Sequence, residues 1–434
     1  MLIKMFSALK YIFASVFGKF ANLIIVFVLA HGLSTKEFGQ YFYILNLVGV
    51  FMLIGQLGLP LLVVREVAKG NQMPSLRKGI IYFSVGANAL SLIAIMAFLA
   101  GAGSLISLAG HEALSLATIV FFYSFSAIAG SILAGLNRVY EGAWPDTMLR
   151  SMLLVAGVGF LALFQPQWLS VNVLLVLLAL SHAATFLALL WNLRTLRTNL
   201  LPQGPPQLRI WPWLKSTFIL GGASIATLLN SRVDVLMLER MTSLDHLATY
   251  AFSLQFMIFF TFPYVVVSSF LLPRISEYVS RDKSRAHADY AMASTAIISI
   301  TALVSAAMIA FTWLGWDLVV PPAFDGAKLV ITVFAIFYLA NTLFGPVTIY
   351  LTAGNMETSV FVVSILSGLV NMGLNFLLIP VLFETGAALA TMVSMTMMNA
   401  ALFIIIVRRF GSVRVIGLDS FRTMVERVSH RLAR

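Results

Sequence analysis

Three charged residues interrupt long apolar runs of this sequence: Lys19, Arg232 and Asp234. A charge inside a membrane-length apolar run is costly and marks a functional position by default. Lysine and arginine in such places suit an anionic ligand. Arginine adds a planar fork that matches the oxygens of a pyrophosphate group. A lone carboxylate suits a proton or Na⁺. Asn22 lies three residues after Lys19, and Asn230 lies four before Asp234, so each shares a helical face with its charged neighbour. Gln56 and Gln255 are further polar side chains within apolar runs. Lys19, Asn22, Arg232, Asn230, Gln56 and Gln255 are therefore expected to line a substrate cavity, with Asp234 as the candidate for ion coupling. No catalytic residue, metal site or cofactor is expected.

Each candidate has a plainer reading. Lys19 could snorkel to the inner interface, where its long stem would carry the charge into water. It stands nine residues after Lys10, roughly 13 Å along a helix. Starting the helix after Lys19 would leave too few apolar residues before His31, which favours a lumen-facing Lys19. Arg232 could snorkel outward or pair with an acid. Asp234 could bind an ion, hold the surroundings of Arg232 or bridge to another helix, and these readings stay open. Two residues apart on a helix, Arg232 and Asp234 point about 200° apart and form no simple intrahelical pair.

These residues need a scaffold, and the composition dictates its kind. Of 434 residues, 60% are hydrophobic and 10% charged, against about 25% charged in soluble domains. Mean hydropathy is +0.95. Apolar runs fall at 11–31, 38–63, 80–101, 115–136, 147–164, 171–193, 214–238, 247–272, 290–314, 328–350, 358–380 and 386–407. Each is long enough to cross a hydrocarbon core as a helix, the form that satisfies its own backbone in lipid. The expectation is an all-α integral membrane protein of about twelve spans.

The charges orient it. With a cytoplasmic N-terminus, 23 of the 28 basic residues fall in inner segments and three in outer loops. That asymmetry is a positive-inside signal and puts both termini in the cytoplasm. The net charge of +11 is then topology, and anionic membrane lipids are expected against the inner loops. No nucleic-acid partner is expected. Residues 194–213, with Pro202, Pro205 and Pro206, read as a cytoplasmic linker between lobes 1–193 and 214–407. In the tail 408–434, Leu418, Phe421, Val425, Val428 and Leu432 recur at helical spacing among arginines, as in a surface-lying amphipathic helix.

The halves echo one another. A shift of 209 places Ser34 on Ser243, Phe38 on Leu247, Tyr41 on Tyr250 and Arg65 on Arg274. Arg232 then falls on Leu23, one turn from Lys19, so that two cations would face each other at similar depth. Repeats of this kind build transporters with a midplane site. There is no cysteine, no phosphate-binding GxxxxGK[ST] loop, no HExxH and no outer loop large enough for a catalytic domain. ATP hydrolysis, zinc protease chemistry and thiol chemistry are excluded from this chain.

Four stretches carry a family resemblance: LSTKEFGQYFYILNLVGVFMLIGQLGLPLLVVREVAKG at 33–70, NSRVDVLMLERMTSLDHLATYAFSLQF at 230–256, LLPRISEY at 271–278 and LVNMGLNFLLIPVLFETGAALAT at 369–391. The chain resembles the oligosaccharide flippases, or polysaccharide biosynthesis membrane proteins, of the multidrug/oligosaccharidyl-lipid/polysaccharide exporter superfamily. The resemblance implies two six-helix lobes around a central cavity, and alternating access. It implies flipping of an undecaprenyl-pyrophosphate-linked oligosaccharide across the inner membrane for O-antigen, capsule or exopolysaccharide. It also implies cations that attract the headgroup, a part open to Lys19 and Arg232. A glycan polymerase and a chain-length regulator would be pathway partners. The family's early acidic position in the second helix is unmatched, since Gln56 and Gly58 stand there. Relatives that carry peptidoglycan precursors usually have two further helices. The rivals are a cation-coupled drug exporter, expected to hold acids in its cavity, a membrane glycan polymerase or ligase, and a scaffold with no need of lumenal charge.

Overall fold

In the computed structural model, residues 2–69, 73–102, 108–196, 204–279 and 282–417 are described. Among them the chain is helical, with no strand. Among the described residues nine helices are long and apolar enough to cross a membrane, and one bent pair makes a tenth span. The first helix, Leu2–Gly32, and the division of the 54-residue helix Glu357–Phe410 into two complete the twelve expected runs. That division is at Phe383, whose φ of 51° breaks the helical path. Pro380 stands three residues earlier, where the missing N–H already weakens the ladder. The expected amphipathic helix over 418–434 lies outside the described residues.

The breaks within spans are local in cause. The second span, Thr35–Gln56 and Leu59–Lys69, turns at Leu57 and Gly58, both with positive φ. A Cβ on Gly58 would come within 2.6 Å of the Gly221 backbone, so both conformation and space require glycine. The seventh span is Ile210–Ser231 and Val233–Met241, bent by 41° at Arg232. The eighth, Leu244–Gln255 and Met257–Tyr278, breaks at Phe256 and then runs unbroken through Pro263. The tenth breaks between Thr342 and Val347, at Gly345 and Pro346.

Two compact units divide the chain, Met1–Leu228 and Leu229–Arg434. In the first, helix Gly110–Gly135 is central and packs against the second, third and sixth spans. In the second, Glu357–Phe410 packs against Val233–Met241, Leu244–Gln255 and Ala327–Thr342. Residues after Gly204 join the first unit. Lys78 Nζ donates to the Gly204 carbonyl at 2.8 Å, Gln207 N donates to Ser75 O at 3.0 Å, and Trp213 is buried against Leu62, Val63 and Ile80.

Large apolar side chains face outward on both units. Leu163, Leu303 and Phe376 are 78%, 72% and 67% exposed. Patches of this kind are foreign to a water-facing monomer and natural against lipid. The chain is a multi-pass membrane protein.

The fifth span differs from expectation. Its apolar run was expected at 147–164, and Arg150, near the start of that run, was counted with the inner segments. The helix in fact starts at Val139 and continues through a π-helical turn, Pro145–Leu149, to Phe164. Arg150 thus stands 11 residues inside, about 16 Å along the axis. Ion pairs make the polar start helical: Arg138 Nη1 to Glu141 Oε2 at 2.9 Å and Arg150 Nε to Asp146 Oδ1 at 3.0 Å. Asp146 is accordingly a second acid within a span, beside Asp234.

Candidate functional site

The best-connected polar group in the second unit centres on Asp234. The helix restarts at Val233 after the bend, so Asp234 sits in a first turn, where free N–H groups favour a carboxylate. The residue is 4% exposed. Its Oδ1 accepts from Val235 N at 2.8 Å. Its Oδ2 accepts from Tyr250 Oη at 2.5 Å and from Thr391 Oγ1 at 3.4 Å. Asn371 Nδ2 donates to Thr391 Oγ1 at 3.1 Å and to Ser394 Oγ at 3.3 Å. Asn375 Nδ2 donates to Asn371 Oδ1 at 2.9 Å, as one turn of helix requires. Among the described residues the buried Asn375 Oδ1 has no hydrogen-bond partner.

A buried carboxylate therefore stands at one end of a chain of hydrogen bonds that runs through Thr391 and Asn371 to Asn375. A carboxyl so placed within a span can take up a proton. Among the described residues, no three His, Cys, Asp or Glu side chains gather as a metal site.

The remaining candidates fall out as follows. Asn230 Nδ2 donates to the Ser364 carbonyl at 2.9 Å, so it ties the seventh span to the eleventh. Arg232 is half-buried at the bend, and its charge acts on Asp234. Gln56 Nε2 donates to Ser124 O at 3.3 Å, and Gln255 Nε2 to Ala251 O at 3.1 Å. In the first unit, Lys19 and Asn22 are both exposed on one helical face. Among the described residues Lys19 has no hydrogen-bond or ion-pair partner.

Sequence reasoning missed Tyr250 and Thr391 as partners of Asp234, and Arg150 as a cation within a span. The 209 shift held a clue to the first. Ser34 and Ser243 each stand at the N-cap position of a helix, though only the Ser34 side chain makes the capping bond; Phe38 and Leu247 are each fully buried, and Tyr41 and Tyr250 are buried at equivalent turns. Tyr41 has no acid at the Asp234-equivalent position, where Ile25 stands.

The family model described as polysaccharide biosynthesis protein matches residues 7–279. Comparison with curated proteins finds no match. Among solved structures, the lipid II flippase MurJ in an inward closed conformation superposes with a TM-score of 0.70 at 14% identity, covering 95% of this chain and 88% of that one. An inward-facing multidrug resistance MATE family transporter of the MOP superfamily gives 0.71 at 14% identity, covering 91% and 94%. An outward-facing transporter of that family gives 0.61 at 15%, covering 93% and 95%. The likeness shows the fold that the sequence resemblance implied.

Proposed function

The chain belongs to the polysaccharide biosynthesis protein family, and from that premise we propose that it flips a lipid-linked oligosaccharide of the undecaprenyl-pyrophosphate type from the inner to the outer leaflet by alternating access. The observation that carries this reading is Lys19, a cation within an apolar helix that has no ion-pair partner among the described residues. An unpaired ammonium in a span is expensive, and an anionic headgroup offsets the cost. Arg232 gives the second unit a cation of its own. The termini are cytoplasmic, the membrane is the inner one, and basic inner loops rest on anionic lipid headgroups. The flipped glycan would pass to a polymerase and its chain-length regulator during surface polysaccharide synthesis. The protein acts as a transporter and not as an enzyme.

Asp234 supplies the coupling. Its protonation, or Na⁺ held with Thr391, Asn371 and Asn375, would change the bonds between the seventh, eighth and twelfth spans. A cation-coupled multidrug exporter is the second reading, and the Asp234 network is what favours it.

Replacing Lys19 and Arg232 singly by Ala tests the cationic reading. Each variant is expected to lose surface glycan while its level in the membrane is unchanged. Wild-type glycan from both variants would refute it.

A further inference from the structure

The second unit holds a cavity that the function above does not use. Its volume is about 280 Å³, just below the range of roughly 300–1,000 Å³ of pockets that hold drug-sized ligands. Phe260 and Tyr264 of the eighth span, Tyr338 of the tenth, and Met395 and Met398 of the twelfth line it. Tyr338 stacks on Phe260, with ring centroids 5.7 Å apart. Among the described residues no charged side chain lines the cavity.

Three polar groups of the lining are left over. Tyr338 is 8% exposed, yet its hydroxyl is bonded to nothing among the described residues. Asn399 Nδ2 donates to Asn341 Oδ1 at 2.9 Å, and among the described residues its own Oδ1 accepts nothing. The Thr348 hydroxyl likewise has no partner among them. Thr261 and Thr342 differ, since they donate to carbonyls of their own helices at 3.0 Å and 2.6 Å. Buried polar groups are as a rule hydrogen-bonded, so three unmet ones around one space call for an occupant. Water would number about nine molecules at roughly 30 Å³ each. Most of them would face aromatic rings and thioethers and find too few partners.

The cavity adjoins the break in the tenth span. Gly345 and Thr348, from the break and from the helix that follows it, both line the space. The backbone between them runs in short turns, with Gly345 N donating to Thr342 O at 2.9 Å and Val347 N to Gly345 O at 2.9 Å. Gly345 has a φ of 70°, and a Cβ on it would fall 2.3 Å from Ser294 Oγ of the ninth span. Tyr290 Oη, also of the ninth span, donates to the Phe344 carbonyl. The ninth span therefore holds the break in place, and an occupant of the cavity would add a second hold.

We propose that this cavity binds an uncharged ring compound with one hydrogen-bonding head group, and that the occupant steadies the break in the tenth span. Aromatic rings and thioethers favour a flat apolar body. Tyr338, Asn399 and Thr348 take the head group. An ionised head would be buried without a partner. The volume limits the ligand to about two rings. The site does not depend on what the protein transports.

The test uses the full-length protein in nanodiscs, with empty nanodiscs as the baseline. Its three probes share one shape: biphenyl-4-carboxamide, the anion biphenyl-4-carboxylate and biphenyl. Wild type is expected to bind the carboxamide at least about ten-fold more tightly than the carboxylate. Tyr338→Phe removes a hydroxyl that bonds nothing in the protein. It is expected to weaken carboxamide binding about five-fold, the loss of one neutral hydrogen bond, with biphenyl binding unchanged. Thr348→Leu fills part of the space and is expected to remove binding of both. Amide hydrogen exchange across residues 343–348 is expected to slow when the carboxamide binds wild type. Thermal unfolding of each ligand-free variant reports folding, and if neither folds the wild-type probe preference and exchange decide. No carboxamide binding above the baseline overturns the site, as does binding unchanged in both folded variants. Equal affinity for the carboxylate overturns the uncharged class. Binding without slower exchange overturns the action on the break.

Discussion

Asp234 shows how a membrane carboxylate is made tolerable. Three donors surround it, from Val235, Tyr250 and Thr391, and two of them come from other helices. Tyr250→Phe removes the shortest of these bonds and leaves Oδ2 under-satisfied. A hydrogen bond to a charged group contributes about 1.5–3 kcal/mol, so a fall in the thermal unfolding midpoint in detergent is expected; an unchanged midpoint would show that the contact contributes nothing. Asp234→Asn keeps an acceptor but removes the ionisable group. It should remove the dependence of transport on an ion gradient, seen as equal vesicle uptake with and without the gradient. Dependence that persists would place coupling elsewhere. Asp234 was legible in the sequence because an acid breaks an apolar run. Thr391 was not, because 157 residues separate it from Asp234 and a threonine in a span is unremarkable.

At the scale of elements, hydropathy reported where lipid touches the chain and failed where ion pairs replace it. The fifth span was read from 147, although the helix begins at Val139, because Glu141 and Asp146 interrupt the apolar run before it. Their partners are one turn away on the same helix, which makes them helix formers instead. The contact of Gly18 with the Thr147 backbone is a close approach of a small residue, the usual means by which membrane helices pack. Gly18→Val should overpack it, costing about 1–3 kcal/mol, with lower thermal stability in detergent as the readout; stability equal to wild type would contradict the packing.

At the inner end of the second span, beyond its apolar run, Glu66 accepts from Lys69 Nζ at 3.2 Å and Arg65 Nε at 3.0 Å. Burial pushes its carboxyl up, but the bonds and charges of Lys69 and Arg65 outweigh that and hold it below the usual carboxylate range. A depressed folded value means that the stabilisation is present above the unfolded value and lost as pH falls through the folded one. Glu66→Gln should therefore lower stability at neutral pH and converge with wild type in acid, as unfolding midpoints across pH would report. Curves that run parallel would show no such linkage.

For the whole molecule, the twelve spans and the family were legible from hydropathy and from four short stretches, since both depend on residue type along the chain. The groups that handle charge were only half legible, since they depend on which helices meet. The compact units divide at Leu228, because residues from Gly204 onward bond to Ser75 and Lys78 and bury Trp213 in the first unit. The central claim is that cations within spans carry an anionic lipid-linked glycan across the membrane. Translocation of such a glycan in vesicles containing purified protein tests it most directly. Wild-type protein should expose the glycan on the far leaflet, and Lys19→Ala and Arg232→Ala should each reduce the rate at least about ten-fold. Equal rates in all three proteins, or none above empty vesicles in wild type, would contradict it.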